Sequence, residues 1–262
     1  MELMGILFVT NVPEACCLCG ATENLSGEHK IKASAIRAEF GTDKIVIGRF
    51  GESVENVRNV QGPKSKNLHF QAKICRKCNS ERTQAADREF DKFHMLVRAK
   101  LEAGEDPASV FELNHYAEGS SPYLNVFRYF AKLLCCHIGD VKGPRPVRLA
   151  RFAISELDAN CVWLSIDRDV VHQEFSQVHG ELQYVAHGGL VVYGHKKTGG
   201  ATGFHSTLTI GPVRYVYFMR SRWAEQLELR LLHPKFHKWV KTRTVDSIEQ
   251  PLTEEERRRL GL

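Results

Sequence analysis

The sequence predicts an α+β protein with two parts, residues 1–103 and residues 104–262. A helical spacing of apolar residues runs through the end of the first part, and short strand patterns separated by glycine-rich connections fill most of the second part. A chain of 262 residues, 43% of them hydrophobic, is long enough to build both parts. The first part also carries two cysteine pairs of the form Cys-x-x-Cys, which are Cys16 with Cys19 and Cys75 with Cys78.

The spacing within each cysteine pair suits a metal ion. A Cys-x-x-Cys turn brings two sulfur atoms within reach of one ion, and two such turns supply four thiolates to a tetrahedral zinc at Zn–S distances of about 2.3 Å. A disulfide framework is one alternative, but the chain lacks a charged segment followed by an apolar stretch and a cleavage site. We therefore expect a cytosolic protein with reduced thiols. The other alternative is an isolated redox-active cysteine pair. The presence of two Cys-x-x-Cys pairs argues against it. The prediction is one structural zinc, with Cys17 left over.

Three polar residues accompany these cysteines: Glu28 and His29 lie between the pairs, and Asn79 follows the last cysteine directly. Histidine is the side chain suited to deprotonating water near neutral pH. Carboxylate and carboxamide oxygens suit a hard cation such as Mg²⁺ or Mn²⁺, which neutralises charge when a phosphodiester is hydrolysed. Taken singly, a Glu-His dipeptide is often an ordinary surface feature, and an asparagine at this point can cap a helix.

Three segments carry a likeness to a known family: Cys16-x-x-Cys19, Leu25-Ser-Gly-Glu28-His29-Lys-Ile31 and Cys75-Arg-Lys-Cys78-Asn79-Ser-Glu-Arg-Thr83-Gln-x-x-Asp87. Together they resemble the zinc-bearing branch of the HNH endonucleases, also called the ββα-metal or His-Me finger fold, over about residues 14–95. In that family a strand carries the acidic-His dipeptide and a helix starts at the second cysteine pair. The resemblance implies that His29 is the general base and that Glu28 and Asn79 hold a catalytic Mg²⁺ or Mn²⁺. It also implies double-stranded DNA as the favoured substrate.

The family has a further residue, often asparagine, on its second strand, where it orients the catalytic histidine. The candidates here are Asn67 and His69, although Asn67 lies farther from Cys75 than the family pattern has it. Polar and apolar residues alternate through this stretch, which predicts a half-buried strand on which His69 could equally be an ordinary surface residue. The preceding residues 33–65 are longer than a compact hairpin requires, so we predict an insertion with one short strand or turn.

Positive charge is concentrated in the first part of the chain. The net charge is +5, and residues 1–100 hold 16 Lys and Arg against 12 Asp and Glu. Residues 58–82 hold seven basic residues and one acid, Glu81. Such a tract suits a polyanion, although solvated basic surfaces are also common. The residues predicted to contact nucleic acid are Lys64, Lys66, Lys73 and Arg76.

Apolar spacing and turn residues predict the other elements. A helix is expected from near Cys78 to about Ala103, and another from Ser121-Pro122 until Gly139 ends it. Strands are expected at Cys161–Ile166, Leu182–Ala186, Leu190–Tyr193, Thr207–Ile210 and Val213–Met219, in an order that favours an antiparallel sheet.

These observations predict a metal-dependent endonuclease whose second part positions the nucleic acid. One alternative is a non-catalytic zinc-ribbon module that only holds nucleic acid. A second is a metal-stabilised scaffold for protein partners. No apolar run approaches the roughly 20 residues of a membrane-spanning helix, so membrane insertion is not expected.

Overall fold

The computed structural model describes residues 6–12, 14–41, 45–49, 58–60, 65–179, 183–195 and 200–246. Its helices are α1 (Ala33–Phe40), α2 (Gln84–Glu102), α3 (Ser121–Asp140), α4 (Val147–Ala153), α5 (Val170–His179), α6 (Trp223–Leu232) and α7 (Pro234–Arg243). Its strands are β1 (Phe8–Val9), β2 (Leu25–His29), β3 (Ile45–Arg49), β4 (Arg58–Val60), β5 (His69–Cys75), β6 (Arg145–Pro146), β7 (Trp163–Arg168), β8 (Gln183–His187), β9 (Val191–His195), β10 (Gly200–Ile210), β11 (Val213–Arg220) and β12 (Thr244–Asp246). The α+β class predicted from the sequence is confirmed.

Strands β2 and β5 form a two-stranded antiparallel sheet in the first part. Leu25 lies opposite Cys75, but the register shifts after Gly27, and His29 then lies opposite His69. The extra residues belong to β5, so that strand carries a bulge. Bulges re-aim side chains and bend a strand locally. Here the bulge brings two histidine side chains into one cross-strand pair.

The chain turns from β5 into helix α2 through an irregular helical turn. Residues Cys78–Arg82 form a π-helical turn, in which the Thr83 N–H donates to the Cys78 carbonyl oxygen at 3.0 Å. Helix α2 then runs to Glu102, one residue short of the predicted end. After the first cysteine pair, β2, β5 and α2 follow in that order, but α1, β3 and β4 lie between the two strands, so the predicted insertion holds a helix and two strands and not one short strand or turn.

The large sheet of eight strands is mixed. Strands β7, β11 and β10 are antiparallel neighbours, and the other edge of β10 pairs with β9 along its first half and with β8 along its second. The β3–β8 and β12–β9 pairs are parallel. The antiparallel pairing predicted for the strands of the second part is confirmed for β7 to β11, whereas β3 and β12 were not among the strands predicted for that part. Both parallel strands arrive from distant parts of the chain, so no local turn fixed their direction.

Helix α3 is the central element of the core. Fifteen of its residues are buried, as expected for a helix that is covered on nearly all sides. It begins one residue after a capping serine, Ser120, whose hydroxyl accepts from the Tyr123 N–H. The buried set includes Lys132, which needs partners of opposite charge because an unpaired buried ammonium is costly. Across the described ranges, no helix combines the length and apolar character that crossing a membrane requires.

The packing is continuous across the predicted boundary between residues 103 and 104. One cluster of buried side chains includes residues from both parts. Strand β3, within the predicted insertion 33–65, extends the sheet of the second part. The Ala72 N–H of β5 also donates to Asp140 Oδ1 of α3 at 2.7 Å. The two parts therefore pack against each other through a shared core. That each part folds independently stays a prediction.

Candidate functional site

The four predicted cysteines converge on one point. Their sulfur atoms all lie within 4.8 Å of one another, and the Sγ atoms of Cys19 and Cys75 are 3.6 Å apart. A tetrahedron with Zn–S bonds of about 2.3 Å has S···S edges of about 3.8 Å. The cluster therefore fits a structural metal ion such as zinc. The other two ligands would be Cys16 and Cys78.

The two cysteine turns have the same local construction. The Cys19 N–H donates to Cys16 Sγ at 3.5 Å, and the Cys78 N–H donates to Cys75 Sγ at 3.4 Å. Gly20 closes the first turn with a φ of +82°, a conformation that glycine adopts without strain. In each turn a backbone N–H thus fixes the position of the first cysteine's sulfur atom, which lies near the other three sulfur atoms.

Two thiols of the cluster, Cys16 and Cys78, share a proton. A hydrogen bond from the Cys78 thiol lowers the pKa of Cys16 to about 4, and the pKa of Cys78 is raised because its proton stabilises that neighbouring thiolate. Metal binding to thiols requires their deprotonation and releases protons. A bound zinc ion would take the place of the shared protons.

An arginine from the second part holds the first cysteine turn. Arg145 Nη1 donates to the Leu18 carbonyl oxygen at 2.9 Å. A Cβ atom at Gly20 would come within 3.3 Å of the same guanidinium group, so glycine also permits this close approach. Nearby, the buried thiols of Cys17 and Cys136 lie 3.6 Å apart. Within the described ranges, the four-cysteine cluster is the sole group of three or more such ligands that could hold a metal.

Glu28 faces the interior, where its partner is a lysine. The residue is 8% exposed, and its Oε1 accepts from Lys132 Nζ at 2.9 Å. The same ammonium donates to Asp87 Oδ1 at 2.6 Å. Burial raises the pKa of Glu28. Burial alone would lower the pKa of Lys132, but the two carboxylates outweigh it and raise that pKa. The structure thus gives Glu28 a different partner from the predicted cation.

Asp87 connects this lysine to the second cysteine turn. Its Oδ2 lies 3.3 Å from the Thr83 hydroxyl, which is 3.0 Å from the Cys78 carbonyl oxygen. These contacts hold helix α2 against the second cysteine turn. Lys132 was missed by the sequence analysis. The feature of the sequence that could have indicated its role is its place among the mostly apolar residues of α3.

His29 lies at the end of β2 beside His69 of β5. The two ring centroids are 4.0 Å apart with an interplanar angle of 42°. Both histidines are half-buried. Of the two candidates for an orienting residue, His69 is the one in contact with His29, while Asn67 is exposed in the turn before β5.

Asn79 joins the π-helical turn to the two-stranded sheet. Its Nδ2 donates to the Ser26 hydroxyl at 3.2 Å, and that hydroxyl donates to the Ile74 carbonyl oxygen at 3.1 Å. The side chain therefore bonds to β2 and does not cap helix α2. Its carboxamide oxygen has no hydrogen-bond partner among the residues that the structure describes, which leaves an oxygen atom available to a ligand.

The described members of the basic tract are exposed along β5 and the second cysteine turn. Lys66, Lys73, Arg76 and Lys77 are all exposed, and within the described part of the chain none of them forms an ion pair with a carboxylate. Arg82 differs, since it pairs with Glu156 at 3.4 Å. The side chain of Lys64 lies outside the described residues.

Comparison of the chain with protein-family models, curated proteins and solved structures finds no match. A function can therefore be argued from the site's geometry and chemistry and from the sequence resemblance.

Proposed function

We propose that the protein is a metal-dependent endonuclease of the HNH type that hydrolyses phosphodiester bonds, with double-stranded DNA as its favoured substrate. The observation that supports this most is the pairing of His29 with His69 at a bulge between two strands. A cysteine-closed turn and a helix follow directly in the chain. This is the element order expected from the sequence resemblance.

In the proposed reaction His29 is the general base. A half-buried imidazole can reach both water and substrate, and contact with the His69 ring limits its orientation. One ring nitrogen of His29 takes a proton from water as the water oxygen bonds to phosphorus. The bond from phosphorus to the 3′ oxygen breaks, and that oxygen takes up a proton from solvent, which leaves 5′-phosphate and 3′-hydroxyl ends.

A divalent cation such as Mg²⁺ or Mn²⁺ belongs to this proposal because it would neutralise charge on the phosphate. Its two predicted ligands do not fit as a set. The Glu28 carboxylate is paired with Lys132 in the interior, whereas Asn79 has a carboxamide oxygen that can reach a ligand. We therefore retain Asn79 as the candidate ligand and assign no reaction step to the cation.

The exposed basic residues supply a surface for the DNA backbone. Lys73 lies on the same strand as His69, and Arg76 follows that strand directly. Basic side chains without carboxylate partners attract phosphates through long-range electrostatics, and they release counterions when phosphate binds. Phosphates bound along this strand would lie on the same element as one of the two paired histidines.

One observation favours the alternative of a non-catalytic zinc-ribbon module that binds nucleic acid. The ion pair of Glu28 with Lys132 removes one of the few predicted cation ligands. A binding module needs the cysteine cluster and the basic surface but no cation at His29. Cleavage separates the two proposals, because both expect salt-sensitive DNA binding.

A plasmid-cleavage assay tests the proposal. The wild-type protein should convert supercoiled DNA to nicked and linear forms with Mg²⁺ or Mn²⁺ and stop when EDTA is added. His29→Ala should lower the rate by about 10²–10⁴-fold, the usual contribution of a general base. His115→Ala is the matched control, since this exposed histidine pairs with Glu89 of α2 and should cut at the wild-type rate. Wild-type protein that binds DNA but never cuts it would support the binding module instead.

A further inference from the structure

We propose that Lys132 is the resident cation of a buried charge centre formed with Glu28 and Asp87, and that Glu28 is a positioning residue for His29, not a ligand of a divalent ion. The positioning role rests on the proposed function. The charge centre itself does not, and both can be tested in the same set of variants.

The first support is the geometry of the ammonium group. Lys132 Nζ lies 2.9 Å from Glu28 Oε1 and 2.6 Å from Asp87 Oδ1, both within hydrogen-bond distance. The lysine side chain is 1% exposed. An ammonium has three protons to donate, and two are directed at these carboxylates. The lysine thus occupies the position that a metal ion would need in order to bridge both groups.

The second support is burial. Glu28 is 8% exposed, and the Asp87 side chain is 16% exposed. A divalent ion approaching Glu28 would have to displace the lysine or bind beside its positive charge in a site of low dielectric constant. Either arrangement costs more than leaving the existing pair intact, because removing one partner of a buried ion pair is strongly destabilising.

The third support is the origin of the three residues. Glu28 belongs to β2, Asp87 to α2 and Lys132 to α3, so one ammonium joins three elements. Because Glu28 directly precedes His29, fixing its side chain inside fixes the backbone from which the histidine side chain leaves. A second lysine reinforces the same helix, since Lys32 donates to the Asp87 carbonyl oxygen and pairs with Asp91.

The test uses the full chain as wild type, Glu28→Gln, Lys132→Met and the double variant, with Lys92→Met as the control. Lys92 is exposed and tests the same substitution outside the centre. Lys132→Met should lower the midpoint of thermal unfolding by roughly 6–20 °C, because it leaves two carboxylates without their cation. Removing the lysine and Glu28 together should lower the midpoint by less than the sum of the two single losses. If Lys132→Met does not fold, a double variant that does fold supports the pairing.

Cleavage at increasing Mn²⁺ concentration separates positioning from ligation. In Glu28→Gln, kcat should fall while KM for DNA and the half-activating Mn²⁺ concentration stay at their wild-type values. A purely structural role would leave kcat of the folded protein unchanged, which would overturn the positioning role. If Glu28 binds the cation, the half-activating concentration should rise by about 10-fold or more, since even outer-shell partners of a metal cost that much when removed.

Failure of the proposed function can be told apart from failure of this inference. If the wild-type protein does not cut DNA, the nuclease and the positioning role fall together. The unfolding cycle still decides the charge centre, since additive losses in the double variant would show that Glu28 and Lys132 are not a pair. A Mn²⁺-induced rise in the unfolding midpoint that disappears in Glu28→Gln would also overturn it.

Discussion

The cysteine cluster and the Lys132 centre bury ionisable groups in two different ways. Four thiols converge within 4.8 Å of one another and supply no positive charge of their own, so an ion must come from outside. The centre around Lys132 contains its own cation, at 2.9 Å from one carboxylate and 2.6 Å from the other. The cysteine cluster is therefore completed when a metal ion binds, whereas the Lys132 centre is completed when the chain folds.

This difference separates the two sites by function. A site that the chain cannot complete alone responds to metal concentration and to acid, because protons compete with metal for thiolates. A site with an internal cation is complete once helix α3 is in place. Glu28 therefore belongs with the packing of the three elements, while the adjacent His29 remains in contact with solvent. The strand β2 carries both roles on neighbouring residues.

The largest expected effect is loss of the metal. We expect one zinc per chain in the purified protein and almost none in Cys75→Ser, with loss of the β2–β5 sheet, because metal binding contributes its free energy to folding. Metal analysis and circular dichroism would measure both. Cys161→Ser is the matched control, since this buried cysteine lies outside the cluster and should retain zinc. A metal-free protein with an intact N-terminal sheet would contradict the account.

Acid should reveal buried histidines that belong to neither centre. Burial lowers the pKa of His94 and of His205 to about 4. The unfolded chain protonates histidine near pH 6.5, so stability is lost as pH falls from about 6.5 to 4, by up to about 1.4 kcal/mol per pH unit for each histidine. The raised pKa of Glu28 acts in the opposite direction.

Urea unfolding at several pH values would measure this slope, with zinc content followed in the same samples. His205→Phe keeps a ring beside Tyr193 but cannot take up a proton, so it should flatten the slope by about one proton. An unchanged slope in this variant, at constant zinc content, would show that the acid sensitivity has another source.

The smallest effect should come from the exposed basic tract. Replacing Lys66, Lys73 and Arg76 by glutamine should weaken DNA binding similarly for all sequences and reduce the slope of log affinity against log salt by about one unit per lost contact. Titration by fluorescence anisotropy at several salt concentrations would measure it. Lys92→Gln, on α2, should leave the slope unchanged. If the triple variant also keeps the wild-type slope, these side chains are solvated surface charges.

The spacing of the cysteines predicted their convergence because each pair forms its own local turn. Helix α3 was equally predictable from local signals, namely a capping serine, a proline in the first turn and an apolar face. The partner of Glu28 was not, because Lys132 lies 104 residues away and meets it only through the packing of α3. Likewise, the parallel pairing of β3 with β8 joins distant segments that carry no mutual signal.

His69 shows a case between these extremes. The sequence placed it on a strand and offered it as one of two orienting candidates. The bulge in β5, which aligns it with His29, depends on the register of two strands 40 residues apart in the chain. An alternating sequence pattern predicts that a strand exists better than it predicts which residues of two strands lie opposite each other. A shifted register pairs the same two sequences, so the sequence pattern of each strand is the same in either register.

Chemical rescue of His29→Ala tests the central claim most directly. DNA is bound first, cleavage is started with Mg²⁺ or Mn²⁺, and single-turnover rates are compared with and without added imidazole. We expect DNA affinity near that of the wild type, a cleavage rate lower by about 10²–10⁴-fold, and partial recovery of that rate by imidazole, because the missing group is a proton acceptor. Cleavage by His29→Ala at the wild-type rate would contradict the account and favour the binding module.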